Sequence, residues 1–195
     1  MKKKLFLFAL SLVASSAFAA VQNGEEAPDF TLMDTDGEEV SLSDFDGQYV
    51  VLEWLNHGCP FVKAHYNSGN MQSLQEEYTD QDVVWLSIVS SAPGKQGHDT
   101  AEGHQKTAKE KGSNATAILM DESGEVGQMY GAKTTPHMFI IDPEGVLIYQ
   151  GGIDDSPRGD PAEANNYVSA ALDASMAGEK VEQASTRPYG CSVKY

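Results

Sequence analysis

YVVLEWLNHGCPFVKAHY, residues 49–66, decides the reading of this chain. Tyr49 to Leu55 is apolar, β-branched and aromatic apart from Glu53, the composition of a buried strand. Asn56-His57-Gly58 breaks the run. Cys59 follows, and Pro60 suits the first position of a helix, where its missing N–H removes no hydrogen bond. Apolar side chains then recur at Val62, Tyr66, Met71, Leu74 and Tyr78, roughly one helical face, and Gly69-Asn70 predicts a kink in it. Cys59 thus lies where a buried strand becomes a helix. Free N–H groups and the positive end of the helix dipole favour a thiolate there, and Lys63, four residues on, adds a positive charge on the same side. Cys59 is a candidate nucleophile, because a turn between Gly58 and Pro60 is a poor place for core filler.

The chain begins with Met1-Lys2-Lys3-Lys4, continues with an apolar run from Leu5 to Ala14, and then carries the small-x-small pattern Ala17-Phe18-Ala19. This is the pattern of a secretory signal peptide cut after Ala19, and the run is too short for a membrane anchor. The expected location is the periplasm or the exterior, with no membrane insertion after cleavage. Thirteen Lys and Arg stand against 29 Asp and Glu, a net charge of −16, and the leader takes three of the lysines with it. So acidic a surface argues against nucleic acid as a partner. Residues 20–195 suffice for one domain with its own core. Only two cysteines are present, Cys59 and Cys191. That permits one disulfide in an oxidising compartment, and rules out a disulfide scaffold or a zinc knuckle.

Outward from the central stretch, Phe30–Met33 and Glu39–Leu42 flank Asp34-Thr35-Asp36-Gly37 as an N-terminal hairpin. Asp82–Val89 and Ala115–Met120 read as core strands. Asp99 is placed to cap a polar helix running to Lys111, and Glu122–Tyr130 reads as a short helix stopped by Gly131. Met138–Ile141 and Val146–Tyr149 form a second hairpin around Asp142-Pro143-Glu144-Gly145. Pro161–Met176 reads as a helix with Ala164, Tyr167, Val168, Ala171 and Leu172 inward. Residues 178–195 form a C-terminal tail carrying Cys191, with little apolar periodicity, so few core contacts are expected of it. Asn114-Ala115-Thr116 fits a glycosylation pattern but more naturally opens a strand.

This order predicts an α/β fold, a sheet flanked by helices. With VVLEWLNHGCPFVK at the first crossover and KTTPHMFIIDPEGVLIYQGGID later, the chain resembles the thioredoxin-like superfamily, in its redoxin or AhpC/TSA (peroxiredoxin-like) branch. The resemblance implies a central mixed β-sheet over residues 20–177. It also implies that Cys59 stands at the first cysteine of a thioredoxin site, with Val62 in place of the second. Pro136 matches the proline that is cis and faces the thiol in that superfamily. Peroxiredoxins carry their peroxide-reactive cysteine at the position of Val62, with a threonine before it and an arginine later. Here Asn56 precedes Cys59, and the only arginines are Arg158 and Arg187.

The residues leave several chemistries open. The foremost is thiol–disulfide exchange by Cys59 with protein or small-molecule thiols and disulfides, resolved by Cys191 or by an external thiol, with no cofactor. A thiol-dependent peroxide reductase uses the same pair through a sulfenic acid. A permanent Cys59–Cys191 bridge would be purely structural. A copper site from His57, Cys59 and His137 is a further alternative, while His65, His98 and His104 are expected at the surface.

Overall fold

The computed structural model describes residues 20–158 and 160–195. The expected signal peptide, residues 1–19, lies outside them. A seven-stranded mixed sheet has the order β2-β1-β5-β4-β3-β7-β8. Its strands are β1 (Thr31–Asp34), β2 (Glu39–Ser41), β3 (Val50–Trp54), β4 (Val84–Val89), β5 (Ala117–Met120), β7 (His137–Ile141) and β8 (Leu147–Gly151). β3, β4 and β5 run parallel, and the hairpins β1–β2 and β7–β8 close the two sides antiparallel.

The pleat of β3 explains the placement of the core. Val50, Leu52 and Trp54 face one side, with Leu86, Ile88, Phe139 and Tyr130 of the helix α4 (Glu125–Tyr130). Val51 and Leu55 face the other, with Trp85, Met138 and Ile140. That second side is covered by α1 (Pro60–Ser68), α2 (Asn70–Thr79) and α5 (Tyr167–Met176). Val62, Tyr66, Met71, Leu74 and Tyr78 are all buried there, as their spacing predicts. The kink is a full break: Gly69 takes φ +81 and ends α1, a left-handed cap that glycine adopts without a Cβ penalty. Among the described residues no helix is long and apolar enough to cross a membrane.

Three expectations shift. α3 (Ala101–Lys111) is capped by Thr100, whose hydroxyl accepts from Gly103 N–H, while Asp99 instead accepts from Thr100 N–H. α5 begins only after Asn166, whose side chain caps Val168 and Ser169. Ala164 therefore lies outside the helix. The largest change is the tail. β9 (Cys191–Ser192) pairs antiparallel with β6 (Thr134–Thr135), Ala184 and Thr186 bond Gln150, and Lys194 O accepts from Ala92 N–H. The Tyr195 hydroxyl donates to Ala132 O. The tail is strapped across the domain by backbone hydrogen bonds and isolated aromatic anchors, which leave no periodic signature.

Glu53 is the one charged side chain that the strand carries inward. It is fully buried beneath α1 and α2, and accepts from Trp85 Nε1 (2.9 Å), Ser87 Oγ (3.0 Å), Gln75 Nε2 (3.1 Å) and Tyr66 Oη (3.3 Å). Burial raises its pKa, although all four hydrogen bonds oppose the rise. A carboxyl raised in the fold contributes most below its unfolded pKa, near 4.5, and that contribution is lost as pH climbs through the folded value. The stability of Glu53→Gln relative to wild type should therefore rise between about pH 4 and pH 7. Denaturant melts across that range check this, and a pH-independent difference would contradict it.

Candidate active site

The turn before α1 is pinned by its own polar groups. Asn56 Oδ1 accepts from Gly58 N–H at 2.8 Å, its Nδ2 donates to Gln96 O at 3.0 Å, and Cys59 N–H reaches back to Asn56 O at 2.9 Å. Asn56 thereby ties the loop around Gln96 to the turn, and Gly97 is glycine for the same reason: a Cβ there would lie 2.6 Å from the Asn56 amide. Cys59 occupies the cap position of α1 with Pro60 following. Its side chain has no exposed surface. The thiol donates to Thr135 O at 3.0 Å, and the Thr135–Pro136 bond is cis.

The tail completes the site. Cys191 stands opposite Thr135 in the β6–β9 register. Gly190 has φ +143, and a Cβ on it would fall 2.1 Å from Thr135 O. Only glycine lets the tail pass this carbonyl. Tyr189 anchors the strand from the other side: its hydroxyl donates to Asp154 Oδ1 at 2.6 Å and meets His65 Nε2 at 2.9 Å, with its ring edge-on to Phe61 at 5.9 Å. His65 Nδ1 faces the Asn70 amide at 2.9 Å. With that amide donating, the histidine hydrogen lies on Nε2, and the chain runs Asn70 to His65 to Tyr189 to Asp154.

The two thiols are held as unlike partners. Burial pushes the Cys59 thiol up, but the Cys191 side chain and the backbone N–H groups of Val62 and Cys191 bring it below the ordinary value. Cys191 is pushed up to about 11, by burial first, then by its hydrogen bond to Cys59 and the charge there. Both cysteines are free thiols. Of the two, Cys59 gives up its proton the more readily.

Of the residues marked in the sequence, Cys59, Cys191 and Pro136 come together, and Lys63 does not join them. Lys63 is exposed, and the groups that favour the Cys59 thiolate are hydrogen-bond donors. Nor do the copper candidates converge: among the described residues no three His, Cys, Asp or Glu are grouped to hold a metal. The His57 ring stands edge-on to Tyr66 at 5.0 Å, and burial lowers its pKa to about 4. His137 is in β7, accepts from Lys133 N–H, and lies against Phe139. His65 and His104 are buried, not at the surface, because α1 and α3 turn them inward. Arg158 and Arg187 line a cavity of about 610 Å³ beside Phe61 and Tyr189.

Asn56, His65, Asp154, Tyr189 and Glu53 are the residues that sequence reading missed. A charged Glu53 inside an apolar strand was the one available signal. The others are linked only through the tail's path. Titrating thiolate absorbance should show two separate steps, the lower from Cys59 below the free-cysteine value of about 8.5. Cys191→Ala removes a donor and should move the Cys59 step upward. A Cys59 step at or above about 8.5 in the intact protein would contradict the hydrogen-bond account.

Residues 23–150 match the AhpC/TSA family. The chain is 25% identical to a thiol-disulfide oxidoreductase ResA of Halalkalibacterium halodurans, over 78% of this chain and 90% of that one. It is 33% identical to a thiol peroxidase of Staphylococcus saprophyticus, over 66% and 76% respectively. A crystal structure of an uncharacterised conserved protein from Geobacillus kaustophilus superposes with a TM-score of 0.80 at 30% identity, covering 92% of this chain and 94% of that one. The thioredoxin domain of a thiol-disulfide oxidoreductase from Bacteroides vulgatus shares the fold, at TM-score 0.53, 22% identity, and 67% and 89% coverage. With the mixed sheet, the helix-capping Cys59 and the facing cis-proline turn in place, the chain belongs to the AhpC/TSA family and has a thioredoxin-like fold.

Proposed function

We propose that this protein is an exported thiol–disulfide oxidoreductase in which Cys59 attacks and Cys191 resolves. The observation that carries the reading is the juxtaposition of the two thiols at Thr135, Cys59 bonded to its carbonyl and Cys191 paired with it in the β6–β9 register, their proton affinities shifted in opposite directions. Export rests on the leader, with the cut after Ala19. The ResA relative supports the activity by its own name.

The steps follow from the site. The Cys59 thiolate attacks one sulfur of a substrate disulfide. A Cys59–substrate bond forms, the substrate's own S–S bond breaks, and its second sulfur leaves as a thiolate that takes a proton from solvent. The Cys59 charge has then gone. Two of the causes that held the Cys191 proton, the hydrogen bond to Cys59 and its charge, vanish with it. Cys191 becomes more acidic at the step that requires its thiolate. It attacks Cys59 Sγ, the Cys59–Cys191 disulfide forms, and the substrate departs as its second thiol. Two electrons have passed to the substrate, and an external dithiol restores the pair.

The thiol peroxidase relative favours a second reading, in which Cys59 becomes a sulfenic acid that condenses with Cys191 and releases water. No arginine is among the groups that hold the Cys59 sulfur. Peroxide should therefore react no faster than with an ordinary thiolate of the same pKa.

Redox equilibration with thiol-specific mass mapping tests the main reading. Stoichiometric disulfide should yield the Cys59–Cys191 bridge in wild type, a trapped mixed disulfide on Cys59 in Cys191→Ser, and neither in Cys59→Ser. A bridge potential below about −300 mV, with Cys191→Ser chiefly lowering thermal stability, would show a structural bridge instead.

A further inference from the structure

The tail occupies the place that a substrate must take. Cys59 has no exposed surface while Thr135 is paired with Cys191, so an incoming disulfide reaches the sulfur only where Cys191 now stands. The edge of β6 offers an extended chain the pairing used by β9, and its surroundings restrict what that chain contains. At the position before the cysteine, Thr135 O lies 2.1 Å from where a Cβ would be, so glycine alone passes with this register. Two positions before the cysteine, the Tyr189 side chain meets Phe61 and links His65 to Asp154. Asp154 is buried, and its Oδ2 has no hydrogen-bond partner even with the tyrosine in place. An occupant lacking an aromatic hydroxyl would leave Asp154 Oδ1 with less, and a buried polar group without its partner is costly.

We propose that the β6 edge is a groove that reads an aromatic–glycine–cysteine segment, that residues 189–191 are its resident occupant, and that the substrates are extended polypeptide disulfides carrying the same pattern. This rests on the thiol-exchange reading above and specifies its substrate class. Substrate and tail then exchange in one groove. The substrate displaces residues 189–191 to meet Cys59. The returning tail brings Cys191 to the mixed disulfide and evicts the substrate strand as the Cys59–Cys191 bond forms. No oxidant or reductant is needed beyond the substrate disulfide and the external dithiol already named.

The test uses full-length Cys191→Ser, which cannot resolve, and Cys191→Ser with Gly190→Ala, whose tail clashes with Thr135 O. Each is mixed with a nine-residue peptide of the sequence 186–194, its cysteine capped as the mixed disulfide with thionitrobenzoate, and release of the coloured thiol is timed. Matched peptides carry alanine for the glycine or for the tyrosine. The native-pattern peptide should react at least about tenfold faster than either, the expected loss for one charge-assisted hydrogen bond or a displaced register. In the double variant all rates should rise with that ranking kept. Equal rates for the three peptides would overturn the proposal. Hydroxyethyl disulfide, which carries no peptide, serves as the control. If it reacts with Cys59 while the peptides show no preference, only the substrate class fails. If it does not react either, the thiol-exchange reading itself falls. Should Gly190→Ala not fold by circular dichroism, the ranking in Cys191→Ser alone decides.

Discussion

The carbonyl of Thr135 is the constraint on which the site depends. It accepts the Cys59 thiol at 3.0 Å, it stands in the strand pair that brings in Cys191, and it demands glycine at position 190. One atom thus orients the Cys59 thiol and fixes the register of the tail and the residue type that allows the approach. Burial favours the protonated form of Cys59, and so does a carbonyl that accepts its hydrogen bond. The donors that counter burial come from two separate parts of the chain, the start of α1 and the returning tail. With the tail docked, both lower the pKa of the Cys59 thiol.

Below this site the fold carries a second buried polar cluster. Glu53 hangs from β3 into the layer between the sheet and α1–α2, and Tyr66 joins it to the helix that Cys59 caps. The Tyr66 ring also meets His57, in the turn before Cys59. The carboxyl, the phenol and the imidazole therefore form a column behind the turn. His57 is neutral at physiological pH, lowered to about 4 chiefly by burial. It lends Cys59 no positive charge, and its place in the column is one of shape.

Much of the fold could be read from periodicity. The alternation in β3 and the helical face from Val62 to Tyr78 both reappear as buried layers, and the Asp-Gly hairpin follows its turn chemistry. Those elements bury continuous apolar faces, and such faces repeat in sequence. The site was legible only where it followed that scaffold, at Cys59 and, through the resemblance, Pro136. Its remaining parts are held by single contacts between distant segments. Tyr189 reaches Asp154 and His65, and Asn56 reaches Gln96, across gaps of 35 to 124 residues. Nothing in the local sequence marks such pairs. Lys63 shows the converse, since a charge four residues along the helix is a local signal, yet the side chain projects to solvent.

The same absence of periodicity that hid the tail makes it suited to exchange. A segment buried through a continuous apolar face opens only at a cost close to global unfolding. Residues 184–195 are held instead by separate backbone hydrogen bonds, by the Thr186 hydroxyl against Tyr149 and Gly152, by half-buried Val193 and by two tyrosines. Each such bond contributes about 1 kcal/mol net, because water replaces it on release. Opening such a strap would not by itself require the two core layers to part. The strap also returns to one register only, because Gly190 fits in just one place under Thr135 O. A resolving cysteine needs both properties. It must leave far enough to admit a substrate, and it must come back to the register that sets it opposite Thr135.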